Sequence, residues 1–104
     1  MHITGGAFTK LGDLLNGGDA IIYEDHKLKP HNIFYELNKK GVKDLEMYKT
    51  FNCGIGFVIG VNKKEADACL KRINKFERDI IGEVVKGHGL VKINSSFSKT
   101  RVIL

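Results

Sequence analysis

The sequence predicts one mixed α/β domain: a β-sheet covered by helices, on the pattern of a ferredoxin-like split β-α-β unit with an extra N-terminal helix. Three observations predict it. The apolar residues switch repeatedly between helical spacing and the alternation or β-branched runs of strands. The turn residues Asn16-Gly17-Gly18, Gly41 and Gly87-His88-Gly89 fall between those segments. The 104 residues leave room for one core and no second.

In order along the chain, Phe8, Leu11, Leu14 and Leu15 share one face of a short helix that Asn16-Gly17-Gly18 ends. Residues 20–24 (Ala-Ile-Ile-Tyr-Glu) read as a strand. A polar loop follows, and Pro30 opens the next helix as a first-turn proline. Ile33, Phe34 and Leu37 form the apolar face of that helix, Lys39 and Lys40 suit its negative end, and Gly41 suits a left-handed cap.

The chain is organised around residues 46–61. Residues 47–53 read as a loop or short helix, and residues 54–61 as a buried strand. In that strand Ile55, Phe57, Ile59 and Val61 are expected to face a core. Gly54, Gly56, Val58 and Gly60 leave the other face nearly bare, for a packed helix or a partner. Asn62 and Glu65 are spaced for a capping box, and Ala66, Cys69, Leu70, Ile73 and Phe76 for the buried stripe of the helix it starts. Cys69 is then a small core residue. Strands at residues 80–86, 90–93 and 101–104 end the chain, with Gly87-His88-Gly89 as a hairpin turn between the first two.

Composition excludes more than it assigns. The net charge of +5 is carried by lysines spread along the chain, some in pairs (Lys39-Lys40, Lys63-Lys64), which suits a solubilising surface better than a phosphate-binding stripe. No apolar run approaches the ~20 residues of a membrane span. Cys53 and Cys69 are not in a C-x-x-C pair, so a reduced, intracellular protein is expected, without disulfide or metal site. His26, His31 and His88 are scattered and read as surface residues. No metalloprotease, nucleophile-elbow or P-loop motif is present. The stretch Cys53-Gly54-Ile55-Gly56-Phe57-Val58-Ile59-Gly60 has the Gly-x-Gly-Phe-Val frame of an RNA-recognition strand. It lacks the basic residue and two of the aromatics that stack on bases, so nucleic acid is not an expected partner.

Two clusters remain. His2, Thr4, Gly5 and Gly6 lie just before a helix N-terminus, where backbone N–H groups suit an anion and an imidazole suits proton exchange; a bare Gly-Gly pair is also simply a flexible turn. Tyr48, Lys49, Thr50 and Asn52 either face a ligand or brace a loop through hydrogen bonds.

Together these clusters resemble aminoimidazole ribonucleotide synthetase (phosphoribosylformylglycinamidine cyclo-ligase). His2-Ile3-Thr4-Gly5-Gly6-Ala7-Phe8-Thr9 is similar to that family's H-I-T-G-G-G-F/L-x-E-N segment. Glu46-Met47-Tyr48-Lys49-Thr50-Phe51-Asn52-Cys53-Gly54-Ile55-Gly56 is similar to its E-M-Y-R-T-F-N-C/M-G-I/V-G-M segment. Ile81-Gly82-Glu83-Val84 is similar to a later strand. Ala7 replaces the third glycine, Lys10-Leu11 the usual Glu-Asn, and Lys49 an arginine, keeping the charge without the bidentate fork.

The resemblance covers the family's C-terminal domain alone. It implies that domain's fold for residues 1–104, as a fragment without turnover of its own. The implied activity is ATP-dependent closure of the imidazole ring of formylglycinamidine ribonucleotide. ATP and Mg²⁺ would be bound mainly by an N-terminal domain, in a cytoplasmic homodimer. His2 would be a catalytic acid–base or polar contact. Thr4, Gly5 and Gly6 would hold a phosphate, and Tyr48, Lys49, Thr50 and Asn52 would support that loop or reach the ligand. Formylglycinamidine ribonucleotide synthetase, selenophosphate synthetase and thiamine-monophosphate kinase share the domain pair, but residues 47–56 favour the cyclo-ligase.

Overall fold

Strands β1 (Gly18–Ile22), β2 (Gly82–Lys86), β3 (Val91–Asn94) and β4 (Arg101–Ile103) form one mixed sheet in the order β2-β1-β3-β4 in the computed structural model, which describes Met1–Leu104. Ala20 and Ile22 are buried, which puts the β-branched run of β1 at the sheet's centre. β1 pairs antiparallel with β2 (Ala20 opposite Val84) and parallel with β3 (Ala20 opposite Val91). β4 lies antiparallel on β3, with Ile93 opposite Val102. Gly82 lies so close to the Ile21 carbonyl that a Cβ there would overlap it, so this register needs glycine.

The mixed, helix-covered sheet is the expected class, but β2 and β3 are not a hairpin. They flank β1 on opposite sides, and residues 87–89 arch across its start. The buried Asp19 carboxylate fastens the arch. Its Oδ1 accepts the N–H groups of His88 at 2.8 Å and Leu90 at 2.9 Å, and Lys92 Nζ lies 3.2 Å from its Oδ2. The N–H bonds of Leu90 and then His88 hold its carboxyl down at about 2. A Cβ on Gly87 would run into that carboxylate, so the glycine makes room for the fastening rather than for a tight turn.

Helical segments cover one side. The first is a 3-10 helix, Ala7–Leu14, that buries Ala7, Phe8 and Leu11. Helix α1, Asn32–Lys39, starts after His31, so Pro30 precedes the helix rather than opening its first turn. Gly41, at φ 112°, takes the left-handed position expected of it. Helix α2, Asp44–Thr50, buries Met47 and Tyr48. Its first residue ties it to the loop before β4. The Asp44 carboxylate accepts Ser95 Oγ at 2.6 Å, Ser98 Oγ at 2.5 Å and Asn38 Nδ2 at 2.9 Å. Burial alone would raise that carboxyl, but these three bonds leave it below its ordinary value. Phe8, Met47, Val91 and Ile93 are the fully sealed apolar centre.

Residues 54–61 depart from expectation. They make no strand ladder, only an isolated antiparallel bridge between Phe57 and His2. Ile55 is buried in the core as expected and Val58 packs against it, while Phe57 (63% exposed), Ile59 and Val61 face outward. Of the three glycines assigned to the bare face, Gly54 alone is approached closely: a Cβ there would lie 2.7 Å from the Lys29 carbonyl oxygen, whereas Gly56 and Gly60 have open space. Helix α3, Ala66–Arg72, also stays outside the core. No residue in it is buried, and Phe76 beyond it is 71% exposed. Cys69 is half-exposed. The Asn62 side chain makes no cap bond, so the capping box does not close. The physical reason is shared. Helical periodicity says that a face must be covered, not that this chain supplies the cover, and α3 touches no element except the 3-10 turn Lys63–Glu65 leading into it. No helix is long and apolar enough to cross a membrane.

Candidate functional site

The two sequence clusters meet along a short two-stranded ribbon. Val58 N–H donates to the Met1 carbonyl (2.8 Å), the Met1 amino group donates to the Val58 carbonyl (2.5 Å), and Ile3 N–H donates to the Gly56 carbonyl (2.9 Å). His2 sits between these bonds, opposite Phe57, and its ring stacks on the phenyl with centroids 6.1 Å apart and 25° between planes. Buried Ile3 anchors the ribbon in the core.

After Ile3 the chain turns sharply. Ala7 N–H closes on the Thr4 carbonyl, Gly6 stands at φ 83°, and Ala7 follows at φ 45°. Thr9 donates to the Gly6 carbonyl from both N–H (3.0 Å) and Oγ1 (2.5 Å). The N–H groups of Thr4, Gly5 and Gly6 have no acceptor within the protein. All three residues are exposed, and no atom lies within 4 Å of a Cβ built on Gly5. The turn is therefore an open concavity of unpaired donors at the positive end of a helix. Ala7 takes the left-handed conformation of a glycine at a cost of about 1 kcal/mol. In the sequence Lys10 is only a departure from a motif. Its side chain folds back so that Cε lies 3.5 Å from a Cβ built on Gly6, which puts a cation's arm over the turn. Four-residue spacing from Gly6 was the signal for it.

The second cluster divides. Tyr48 is buried. Its oxygen accepts Ser96 N–H at 2.8 Å, and its ring meets the edges of Phe8 (5.7 Å) and Phe97 (5.6 Å). Burial raises the phenol's pKa, and the bonds from Ser96 oppose that only in part. Asn52 shapes the turn into the ribbon: its Oδ1 accepts Gly54 N–H at 2.9 Å and its carbonyl accepts Ile55 N–H at 3.0 Å. Lys49 and Thr50 are exposed and make no side-chain hydrogen bond. Cys53 lies at φ 51° with its thiol 3.6 Å from the Met47 and Phe51 carbonyls. Burial, with a smaller push from Asp44, lifts that thiol to about 12, so it is no nucleophile.

His26 is buried rather than on the surface, and its Nδ1 has no hydrogen-bond partner. Burial first, then Lys29, lowers its pKa against the pull of Asp79 and Asp25. A depression of about 390 Å³ lies at the carboxyl ends of β1 and β3 and is lined by Tyr23, Glu24, Asp25, Asn94, Lys99 and Thr100. It contains none of the clustered residues, and its two carboxylates oppose a phosphate. The unpaired N–H groups that would suit an anion are those of the turn at Thr4, Gly5 and Gly6.

The domain is α+β, with an open glycine turn at its surface and a buried tyrosine and an asparagine turn nearby in the chain's second cluster. Residues 1–93 match the family described as AIR synthase related protein, C-terminal domain, and the chain belongs to that family. Among relatives it is 41% identical over 87 residues to the phosphoribosylformylglycinamidine cyclo-ligase of Methanocaldococcus jannaschii, covering 81% of this chain and 24% of that protein. It is 39% identical over 90 residues to the cyclo-ligase of Sulfurisphaera tokodaii, with 86% and 27% covered. With that of Methanococcus vannielii the figures are 36% over 107 residues, 99% and 29%. The chain thus spans about a quarter of the length of the curated relatives it matches. No solved structure matches it.

Proposed function

We propose that the chain is the C-terminal part of an ATP-dependent cyclo-ligase that closes the imidazole ring of formylglycinamidine ribonucleotide, giving aminoimidazole ribonucleotide in purine biosynthesis. The observation that carries this reading is the open turn, with unpaired N–H groups at Thr4, Gly5 and Gly6 fixed in place by the ribbon at Ile3 and Gly56. These groups hold a phosphate of the substrate or of ATP, and Lys10 adds positive charge beside it. His2, exposed on the ribbon, exchanges a proton with the reacting amide or amidine. Tyr48 and Asn52 hold the turn, while Lys49 and Thr50 reach the ligand.

ATP, when bound, supplies the phosphoryl group that activates the amide oxygen. Mg²⁺ finds no group of three His, Cys, Asp or Glu donors on this chain, and its ligands are assigned to the N-terminal part. That part is the chain's partner, in a cytoplasmic homodimer, and this chain alone does not turn over. RNA binding is not favoured, since the named relatives are cyclo-ligases and the exposed Phe57 ring lies against His2.

The test is a chimera in which the matched C-terminal part of the Methanocaldococcus jannaschii cyclo-ligase is replaced by this chain. ADP release that requires formylglycinamidine ribonucleotide is expected, with His2→Ala lowering kcat by about 10²–10⁴-fold. A folded chimera that binds both substrates and releases no ADP would refute the reading.

A further inference from the structure

The cations that lie scattered along the sequence do not all stay apart in the fold. Lys27, Lys71 and Arg78 line one surface depression of about 260 Å³, together with Leu70 and Asp79. Two walls form it: the loop that carries Lys27, and the end of helix α3 with the turn that follows. A bond joins the walls, Lys27 N–H donating to Asp79 Oδ2 at 2.7 Å. Buried His26, the residue before, anchors the loop. Arg78 is fixed as well. Its Nε donates to the Leu70 carbonyl at 2.9 Å and its Nη1 to the Phe76 carbonyl at 3.5 Å, while Nη2 keeps both hydrogens free. The first of these bonds takes up a carbonyl of the helix's last turn, which would otherwise repel an anion. The chain's two ion pairs, Lys39 with Glu36 and Lys92 with Asp19, involve none of the three cations. Asp79, the single carboxylate in the depression, is taken up by backbone donors, with Ile80 N–H on its Oδ1 at 2.9 Å. Like charges repel, so three unpaired cations around one hollow, one of them locked by backbone carbonyls, make a receptor for an anion.

We infer that this depression binds a phosphate monoester, at a site separate from the turn at Thr4, Gly5 and Gly6, none of which lines it. The charge fits. Three cations against one engaged carboxylate suit a group that carries close to two negative charges at neutral pH. Arg78 Nη2 offers two N–H donors to the phosphate oxygens, and the ammonium groups of Lys27 and Lys71 add point charges from the two walls. The size fits as well. About 260 Å³ admits a phosphate and a short organic tail, to which half-buried Leu70 offers an apolar contact, and favours a small ligand over a polymer backbone. The ligand would also give α3 what the fold does not. That helix buries no residue and touches no element except its lead-in turn. An anion held jointly by Lys71 on the helix and Lys27 on the loop ties α3 to the domain. The inference is independent of the cyclo-ligase reading, since it uses neither His2 nor the glycine turn.

An amide NMR titration of the 104-residue chain tests it, with glycerol 3-phosphate and inorganic phosphate as probes at constant ionic strength and glycerol as the uncharged control. Saturable shifts are expected at Lys27, Lys71 and Arg78, with a Kd of about 1 mM or tighter. Tighter binding of glycerol 3-phosphate assigns the site to an organic ester, and equal binding of the two probes assigns it to the phosphate group alone; both uphold the site. At saturation the amides of α3 should exchange at least about tenfold more slowly. The Lys27 and Lys71 side chains make no hydrogen bond in the fold, so the double variant Lys27→Gln, Lys71→Gln should keep its Tm and weaken binding at least about tenfold. Arg78→Lys, which keeps the charge and loses the fixed fork, should weaken it as well. Unaltered affinity in the double variant overturns the inference. So do the same shifts with glycerol, saturation that leaves α3 exchange unchanged, or displacement of both probes by a short RNA at micromolar concentration, which would make a polymer the ligand. Shifts confined to Thr4, Gly5 and Gly6 overturn this inference alone and leave the phosphate-holding turn standing.

Discussion

Tyr48→Phe removes one oxygen from the middle of the site and leaves the packing intact. The ring stays between Phe8 and Phe97, with centroids at 5.7 and 5.6 Å. What is lost is the acceptor for Ser96 N–H at 2.8 Å. A fully buried orphan donor costs about 1–3 kcal/mol, and Ser96 is only half-buried, so a loss near the lower end, about 1 kcal/mol, is expected. In a domain of this size that lowers Tm by roughly 4–8 °C. Tyr48→Ala also removes the ring and should cost about 3–5 kcal/mol. Thermal unfolding at neutral pH, followed by circular dichroism, measures both. The pH dependence carries a sign. The folded phenol's pKa is raised above its ordinary 10.0, so its contribution is complete below that value and is lost as pH rises through the folded one. The Phe variant should lack this alkaline loss. A Tm unchanged within about 1 °C, together with a tenfold higher KM for ADP release in the chimera, would place the hydroxyl on the ligand and refute the bracing argument.

Two further outcomes follow from buried groups elsewhere. The Asp19 carboxyl is lowered from 3.8 to about 2, so its stabilisation is present above 3.8 and lost as pH falls through about 2. Unfolding titrations between pH 4 and 2 should show this loss in the native chain and not in Asp19→Asn; parallel curves would mean that the arch over β1 does not depend on the charge. Of the two thiols, Cys53 is sealed and raised to about 12 while Cys69 is half-exposed. One thiol per chain should therefore react with Ellman's reagent at pH 8 before unfolding and two after it, and fast reaction of Cys53→Ala but not of Cys69→Ala identifies which.

The parts of the fold that were legible in the sequence are those that local rules decide. β1, the helix around Tyr35 and the C-terminal strands follow from β-branched runs and one-sided apolar spacing, and Gly41 from its need for positive φ. Pairing was not legible. The Gly87-His88-Gly89 segment has the composition of a hairpin turn, and only the distant Asp19 reveals it as an arch. Alternation at residues 55–61 marked a strand but could not say which face is covered, because the cover is a matter of partners. Glycines before a helix marked the turn whose N–H groups the fold leaves unpaired. Tyr48 and Lys49 are neighbours with opposite fates, one sealed and one in solvent, since the helix turns roughly 100° between them. His26 is buried where its polar surroundings in sequence suggest surface, because a polar loop can still be folded over its own histidine.

The central position of β1 has a consequence for how the chain comes into being. Every strand that pairs with β1 lies beyond Ile81, and the carboxylate at its start waits for an amide 69 residues later. During synthesis its Ala-Ile-Ile core therefore leaves the ribosome long before anything can pair with it. Closing such long loops is slow, and an unpaired β-branched strand adheres to its copies. The nascent chain should therefore be most prone to aggregate in the interval before Gly82 emerges, and dependence on a holding chaperone should end once the last strands are free.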